Sequence, residues 1–360
     1  MSELLSVRFQ SIKRILNFRF DAGTSRGVLK TRPVYWIKAS DPKNPAIIGW
    51  GEAAPLINLS LDYRPDFEDY LEKELRKIEK IDFESNSVQI LKKLKEHVSP
   101  EFPSIRFGLE TALLDLYHGG KMKIFSGSFF DRADPIPING LIWMGSQDFM
   151  AEQIEEKLNQ GFDCIKMKIG AIDFEQELAL LSQIRKRYSK DQIILRVDAN
   201  GAFSPQEVLK KLDRLASLDL HSIEQPIAAG QTEAMRALCK ITPLPIALDE
   251  ELIGVENKAD LLDRISPQHI ILKPTLLGGI LETQEWIKLA EDRGIGWWMT
   301  SALESNIGLN AIAQLAASYD PIVPQGLGTG KLFHNNLDSP LVIESGTISY
   351  RSELAWENPS

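Results

Sequence analysis

From residue 136 onward, short apolar runs alternate with longer stretches in which apolar positions recur every three or four residues. INGLIW is followed by SQDFMAEQIEEKLNQG, CIKMKIG by DFEQELALLSQIRKRY, and IILRVDAN by SPQEVLKKLDRLASL. HSIEQP, PIALDE, HIILKP and GWWMTSA each lead into a further helical stretch, and PIVPQG closes the series. Runs of this kind predict buried strands, and the longer period predicts amphipathic helices. Strict alternation of eight strands with seven helices predicts a parallel sheet, because parallel neighbours need a crossover between them. Ser204-Pro205 is expected to open one helix and Gly294 to close another.

The N-terminal part is patterned differently. Residues 1–57 read as strands broken by turns at AGTSRG and DPKNP, and residues 64–118 read as helices, among them DFEDYLEKELRKIEKI and SIRFGLETALLDLYHG. Strands followed by helices predict an α+β module. The tail, LFHNN through SPLVIESGTISYRSEL, reads as strand and loop. The alternating part fits an open doubly wound sheet or a closed barrel. Eight strand units without a dinucleotide fingerprint favour the α/β barrel, whose chemistry sits at the C-terminal strand ends.

Those ends carry charge. In CIKMKIG, side chains two apart share a face, so Lys166 and Lys168 lie together where an interior strand would carry valine or isoleucine. The third strand ends in Asp198 and Asn200, the fourth in Glu224, the fifth in Asp249 and Glu250, and the sixth in Lys273. A lone strand-end aspartate usually caps a helix, and a lone K-x-K usually marks a solvated edge. Five consecutive strands obeying one rule outweigh those readings, since unpaired charges on an inner rim are costly to desolvate. Asp198, Glu224 and Asp249 are 26 and 25 residues apart, one βα unit each, so they can converge. Oxygen ligands without histidine or thiolate suit a hard divalent cation, Mg²⁺ best, with Mn²⁺ as the alternative ion. A cation and a second ammonium both push a neighbouring lysine towards neutrality, where it can serve as a base.

Composition narrows the partners. The 360 residues carry a net charge of −9 and no long Lys/Arg run, which disfavours nucleic acid. No apolar run reaches the length of a signal or membrane span, so a cytoplasmic location is expected, with no membrane partner. Cys164 and Cys239 are too few for a disulfide framework and are expected to pack as reduced hydrophobes. None of the five histidines lies two or four residues from another, and His221 and His269 open their strands, at the wrong end for chemistry. GLGTGK at 326–331 departs from a phosphate loop and is expected to be a close-approach loop. Trp297 and Trp298 are expected to pack. The oligomeric order stays open, a homo-oligomer included.

With these residues placed, the chain resembles the enolase superfamily in its muconate-lactonizing subgroup. The resemblance runs over essentially the whole length and rests on KMK at 166–168, RVDAN at 196–200, IEQP at 223–226, LDE at 248–250 and LKPTLLGG at 272–279. It implies a (β/α)7β modified TIM barrel over 131–330, an α+β capping domain over 1–130, and a C-terminal segment, 331–360, that completes the cap. It further implies that Asp198, Glu224 and Asp249 hold Mg²⁺, with Asn200 and Glu250 supporting them. Lys168 and Lys273 would be catalytic and face each other across a small carboxylate substrate, with Lys166 orienting its carboxylate. The nearest likeness is to members that dehydrate 2-succinyl-6-hydroxy-2,4-cyclohexadiene-1-carboxylate in menaquinone biosynthesis. Lys168 would remove the α-proton and assist loss of water from the same face, while Lys273 stabilises the enediolate. PINGLIWMG at 137–145 and AGTSRGVLKTR at 22–32 carry the same likeness, which implies that Thr24, Ser25 and Arg26 close over the succinyl chain. Ser301 and Glu304 are further pocket candidates. The alternatives are racemisation of N-acylamino acids and epimerisation of dipeptides; the latter lacks the acidic D-x-D that would hold an ammonium, since GLGTG stands there. Muconate lactonization is a further alternative within the subgroup. A catalytically dead barrel is opposed by the complete set of lysines and carboxylates.

Overall fold

In a computed structural model of the chain, residues 4–24, 27–321 and 323–359 are described, with the side chains of Leu4, Leu5 and Thr24 excepted. The N-terminal strands are β1 (Leu4–Leu5), β2 (Arg8–Thr24), β3 (Gly27–Asp41) and β4 (Asn44–Ala53), of which the last three form an antiparallel sheet in that order. Helices α1 (Phe67–Ile78), α2 (Ser87–His97) and α3 (Pro103–Tyr117) follow, with the short β5 (Phe83–Glu84) pairing β1. One apolar core, including Ile37, Leu71, Ile90 and Leu113, lies between this sheet and its helices. Helix α3 presses onto β4 because Gly49 and Gly51 face it. A Cβ on Gly51 would stand 2.0 Å from the Gly108 carbonyl oxygen, and one on Gly49 2.2 Å from that of Ala112.

After α4 (Ser128–Arg132) and β6 (Ile136–Pro137), strands and helices alternate. The strands are β7 (Gly140–Ile142), β8 (Cys164–Lys168), β9 (Ile194–Asp198), β10 (Ser222–Glu224), β11 (Ile246–Leu248), β12 (His269–Leu272) and β13 (Gly296–Met299). Between and after them run α5 (Gln147–Asn159), α6 (Phe174–Arg187), α7 (Val208–Ala216), α8 (Thr232–Ile241), α9 (Lys258–Ile265), α10 (Pro274–Leu277), α11 (Ile280–Glu291) and α12 (Asn306–Ala317). The seven strands make one parallel sheet in sequential order. The expected eighth strand is reduced, among the described residues, to bridges at Gln325 and Gly326. Gln325 pairs Ile138 beside β7, and Gly326 pairs Thr300 beside β13, so this segment bonds to both edges of the sheet.

Outward-facing Ile165, Met167, Leu195 and Val197 join the main core under the helices. Inward-facing Ala247, Ile271 and Trp298 form a small separate cluster with Val323. Alternation thus leaves the inner face mostly polar, which is why the strand patterns carry charge.

Two expectations about helix ends have different outcomes. The helix expected to open at Ser204-Pro205 begins at Val208, because the Ser204 carbonyl accepts from Glu207 and Val208 and residues 204–207 form a turn first. Gly294, at φ +66°, turns the chain out of α11 as expected. In the tail, Leu332 and His334 exchange backbone bonds with β2, whereas the hairpin β14 (Leu341–Glu344) and β15 (Thr347–Tyr350) pairs with β6.

Helices α2 and α3 are tied to the alternating part by charge. Glu282 of α11 meets Lys95 at 3.1 Å, Arg106 at 3.1 Å and Lys258, and Glu285 meets Lys258 at 2.8 Å. Glu110 of α3 accepts from the first amide of α11, at Ile280. A Cβ on Gly279 would stand 2.1 Å from that carboxylate, so the GG of LKPTLLGG lets α3 reach the helix start. Among the described residues no helix is long and apolar enough to cross a membrane.

Candidate active site at the ends of the parallel strands

Register brings the charges level. Lys168 pairs Asp198 in the β8–β9 ladder, and Asp198 pairs Glu224 in the β9–β10 ladder. The side chains then form an unbroken alternation of sign. Lys168 Nζ lies 2.9 Å from Asp198 Oδ2, and Lys166 Nζ 3.1 Å from the same oxygen. Lys166 also contacts Glu224, and Lys273 contacts Asp249 while standing 3.8 Å from Glu224 Oε1. Lys166, Asp198, Glu224 and Asp249 are all buried, so each charge depends on its neighbours.

Burial alone would raise the Asp198 carboxyl, but Lys166, Lys168 and Lys273 together hold it well below the usual carboxylate range. Burial would likewise lower Lys166 and Lys273, but the carboxylates around them win and hold both above the ordinary lysine value. The expected drift of a site lysine towards neutrality is for a lysine beside a bound cation. Here the lysines are themselves the cations that the carboxylates face.

Among the described residues no three acidic, histidine or cysteine side chains stand close enough to share one ion as they are. The lysines interpose between the carboxylates. The donors nevertheless fit a hard divalent ion: three buried carboxylates come from adjacent strands, and Glu224 Oε1 accepts no hydrogen bond. Asp249 is pushed upward by burial and by Glu250 and Glu224 beside it, even with Lys273 in contact.

The supporting residues close around this row. Asn200, at φ +44°, accepts from Lys168 Nζ at 2.7 Å, donates its backbone amide to Asp198 at 3.0 Å and its side-chain amide to Glu250 at 3.1 Å. Sequence reasoning passed over Gln225, the Q of IEQP. It is fully buried at φ +38°, and its side-chain oxygen accepts from the amides of Asp249 (3.1 Å) and Glu251 (3.3 Å). The only sequence signal was its place directly after Glu224.

A cavity of ≈ 180 Å³ opens above the row, lined by Lys166, Lys168, Asp198, Asn200 and Lys273 below and by Val28, Leu56 and Ile57 of the N-terminal part above. Ser301 is on its wall. Glu304 is not; it accepts from Ser301 Oγ at 2.6 Å and from the Ala302 amide at 2.7 Å, and so acts through them. Gly326, Gly328 and Thr329 also line the cavity, consistent with close approach at GLGTGK. Asn139, within PINGLIWMG but not singled out there, and Thr300 bring buried oxygens without hydrogen-bond partners to the same wall. Of the expected closing loop, Ser25, Arg26 and the Thr24 side chain lie outside the described residues.

The opposite end of the sheet is chemically quiet. His221 and His269 stack at 5.1 Å, and burial lowers them to about 3 and about 4. Trp298 lies beneath the Arg196 guanidinium at 4.0 Å, and Trp297 packs on Tyr319. Cys164 and Cys239 are both buried thiols, pushed up by burial to about 11 and about 12.

Residues 149–353 match the family described as enolase C-terminal domain-like. The chain is 48% identical to o-succinylbenzoate synthase of Desulfotalea psychrophila, over 92% of this chain and 96% of that one. The crystal structure of MenC from the same organism superposes with a TM-score of 0.84 at 41% identity, covering 96% and 99% of the two chains. Dipeptide epimerase from Enterococcus faecalis, solved in complex with Mg and the dipeptide L-Leu-L-Tyr, shares the fold, with a TM-score of 0.81 at 20% identity over 97% of each chain.

Proposed function

The chain belongs to the enolase C-terminal domain-like family, and on that premise we propose that it catalyses the o-succinylbenzoate synthase reaction. It is a lyase that removes water from 2-succinyl-6-hydroxy-2,4-cyclohexadiene-1-carboxylate, a step of menaquinone biosynthesis. The observation that carries this reading is the placement of Lys168 and Lys273. They stand on strands separated by three others, with the buried carboxylates between them.

Lys168 takes the proton from C1 of the substrate. The C1–H electrons first pass into the substrate carboxylate as an enediolate. They then return to form the C1–C6 ring double bond as the C6–O bond breaks, and the protonated Lys168 gives its proton to the departing hydroxide as water. Base and acid are one residue, so the proton and hydroxyl leave from one face. Lys273, on the other face, balances the charge of the enediolate, and Lys166 meets the substrate carboxylate. Asp198, Glu224 and Asp249 would hold Mg²⁺, which when bound supplies the charge that makes a carboxylate's α-proton removable. Loss of water also makes the ring aromatic, which favours the forward direction.

The fold reading that goes with this is a (β/α)7β barrel over 131–330, supported by Gln325 and Gly326 bonding both sheet edges. Residues 1–130 form its cap; of 331–360, Leu332 and His334 return to it, while the β14–β15 hairpin pairs with β6 at the start of the barrel part. Racemisation of N-acylamino acids is the second reading, favoured by a lysine on each face. For a dipeptide, the Gly326–Thr329 wall brings no carboxylate to pair an ammonium.

The test is direct. Purified protein with Mg²⁺ should convert the cyclohexadiene carboxylate to o-succinylbenzoate, with loss of one water seen by mass spectrometry. Absence of conversion by protein that binds Mg²⁺ would overturn the assignment. Deuterium uptake from D₂O into N-succinyl amino acids, without dehydration, would move it to the racemase reading.

A further inference from the structure

Arg32 in β3 is 2% exposed, and its guanidinium is spent on backbone carbonyls. Nη1 donates to Pro55, Nη2 to Ala54 at 2.6 Å and Ala302 at 3.2 Å, and Nε to Leu303 at 3.3 Å. Two of these carbonyls precede Leu56 and Ile57 on the upper wall of the cavity. The other two belong to Ala302 and Leu303, which line it after β13. One side chain therefore ties together two walls that come from opposite parts of the chain.

One of those walls is strained. Leu303 has φ +67°, a conformation unfavourable for a side chain of this type that persists only where neighbours enforce it. Its amide is held by Ser301 Oγ at 3.0 Å and its carbonyl by Arg32. Glu304, fully buried, holds the Ala302 amide and also accepts from Thr275, two residues beyond Lys273. Glu304, Glu52 and Asp62 offset the charge of the guanidinium.

We propose that Arg32 is a positioning residue for the reaction, setting the separation between the upper wall at 54–57 and the wall at 302–303 that the substrate must fit. It does not touch the substrate. The proposal rests on the synthase reading for its kinetic part only. Its role is separable from folding because other contacts hold the N-terminal part in place: the Glu282 ion cluster, Glu110 at α11, and Glu52, which accepts from the amides of Ser305 and Gly308. Lysine cannot substitute, since one ammonium cannot span four carbonyls as a planar fork does.

The test compares wild type with Arg32→Lys and Arg32→Ala. Both variants should keep near-wild-type circular dichroism. They should raise KM about tenfold or more while kcat stays within about threefold, the pattern of lost uniform binding. Added guanidinium should lower the KM of Arg32→Ala. Hydrogen exchange should speed up at 54–57 and 302–304 and stay unchanged in β8 and β9, a readout that needs no substrate. Unchanged exchange at both walls, or a KM equal to wild type in a folded variant, would overturn the proposal. Should Arg32→Ala fail to fold, Arg32→Gln carries the same comparison. If wild type turns nothing over, the synthase reading fails, and exchange alone decides the role of Arg32.

Discussion

Lys168 and Asp198 are ladder partners in adjacent parallel strands, and their side chains meet at 2.9 Å. The proposed base therefore stands beside a proposed metal ligand, close to where the substrate carboxylate would bind and its α-proton would be exposed. Lys168→Ala should lose about 10²–10⁴-fold in kcat, the scale of positioned general base catalysis, with circular dichroism unchanged. Turnover within a factor of about three of wild type would remove Lys168 from the mechanism.

Removal of metal tests the carboxylate row. Chelation should abolish activity and Mg²⁺ should restore it. In thermal melts Mg²⁺ should stabilise wild type, by about 2.7 kcal/mol at a hundredfold excess over Kd. Asp249→Asn should lose most of that stabilisation. Calorimetry showing equal Mg²⁺ affinity for the two proteins would exclude Asp249 as a ligand.

Gln225 reaches the site through Asp249, whose amide it holds. Gln225→Met keeps the volume and removes the bonds. Mg²⁺ affinity should fall about 10–100-fold, as for other groups that orient metal ligands. Affinity unchanged by calorimetry would assign Gln225 to packing alone.

The pH dependence of stability follows from carboxyls away from the site. Burial raises Glu52 and Asp115 to about 7 and Glu110 to about 8, from ordinary values of 4.5, 3.8 and 4.5. A carboxyl that binds its proton more tightly when folded stabilises the fold at low pH. That contribution is lost as pH rises from its unfolded to its folded value. The melting temperature should therefore fall between about pH 4 and pH 8, and Glu110→Gln should flatten the fall. A steeper fall in the variant would contradict the assignment.

Gly51→Ala should destabilise by at least the ~1–3 kcal/mol of an overpacked core, since its methyl would meet the Gly108 carbonyl of α3. Urea unfolding measures this directly, and a midpoint equal to wild type would show that β4 and α3 can move apart.

The carboxylates and lysines were legible because two regularities pointed at them. Strand alternation put Lys166 and Lys168 on one face, and the βα interval put Asp198, Glu224 and Asp249 at one height. Arg32, Glu52 and Gln225 obey no such period. Their partners lie 22 to 271 residues away along the chain for Arg32 and more than 250 for Glu52, and a bond to a backbone carbonyl or amide leaves no trace in residue type. The eighth strand is reduced, among the described residues, for the opposite reason. PIVPQG has the composition of a strand, but its two prolines withhold the amides a regular ladder requires.

The Glu282 cluster also fixes the N-terminal part over the alternating part. An N-terminal part bound on that side by Lys95 and Arg106, and on the other by Arg32, cannot swing as a body without breaking polar contacts. Val28 and Ile57 line the cavity and yet remain 56% and 39% exposed. On the proposed reading they would form the threshold that substrate crosses, so changes there should alter which molecules are admitted while the chemistry below is left intact.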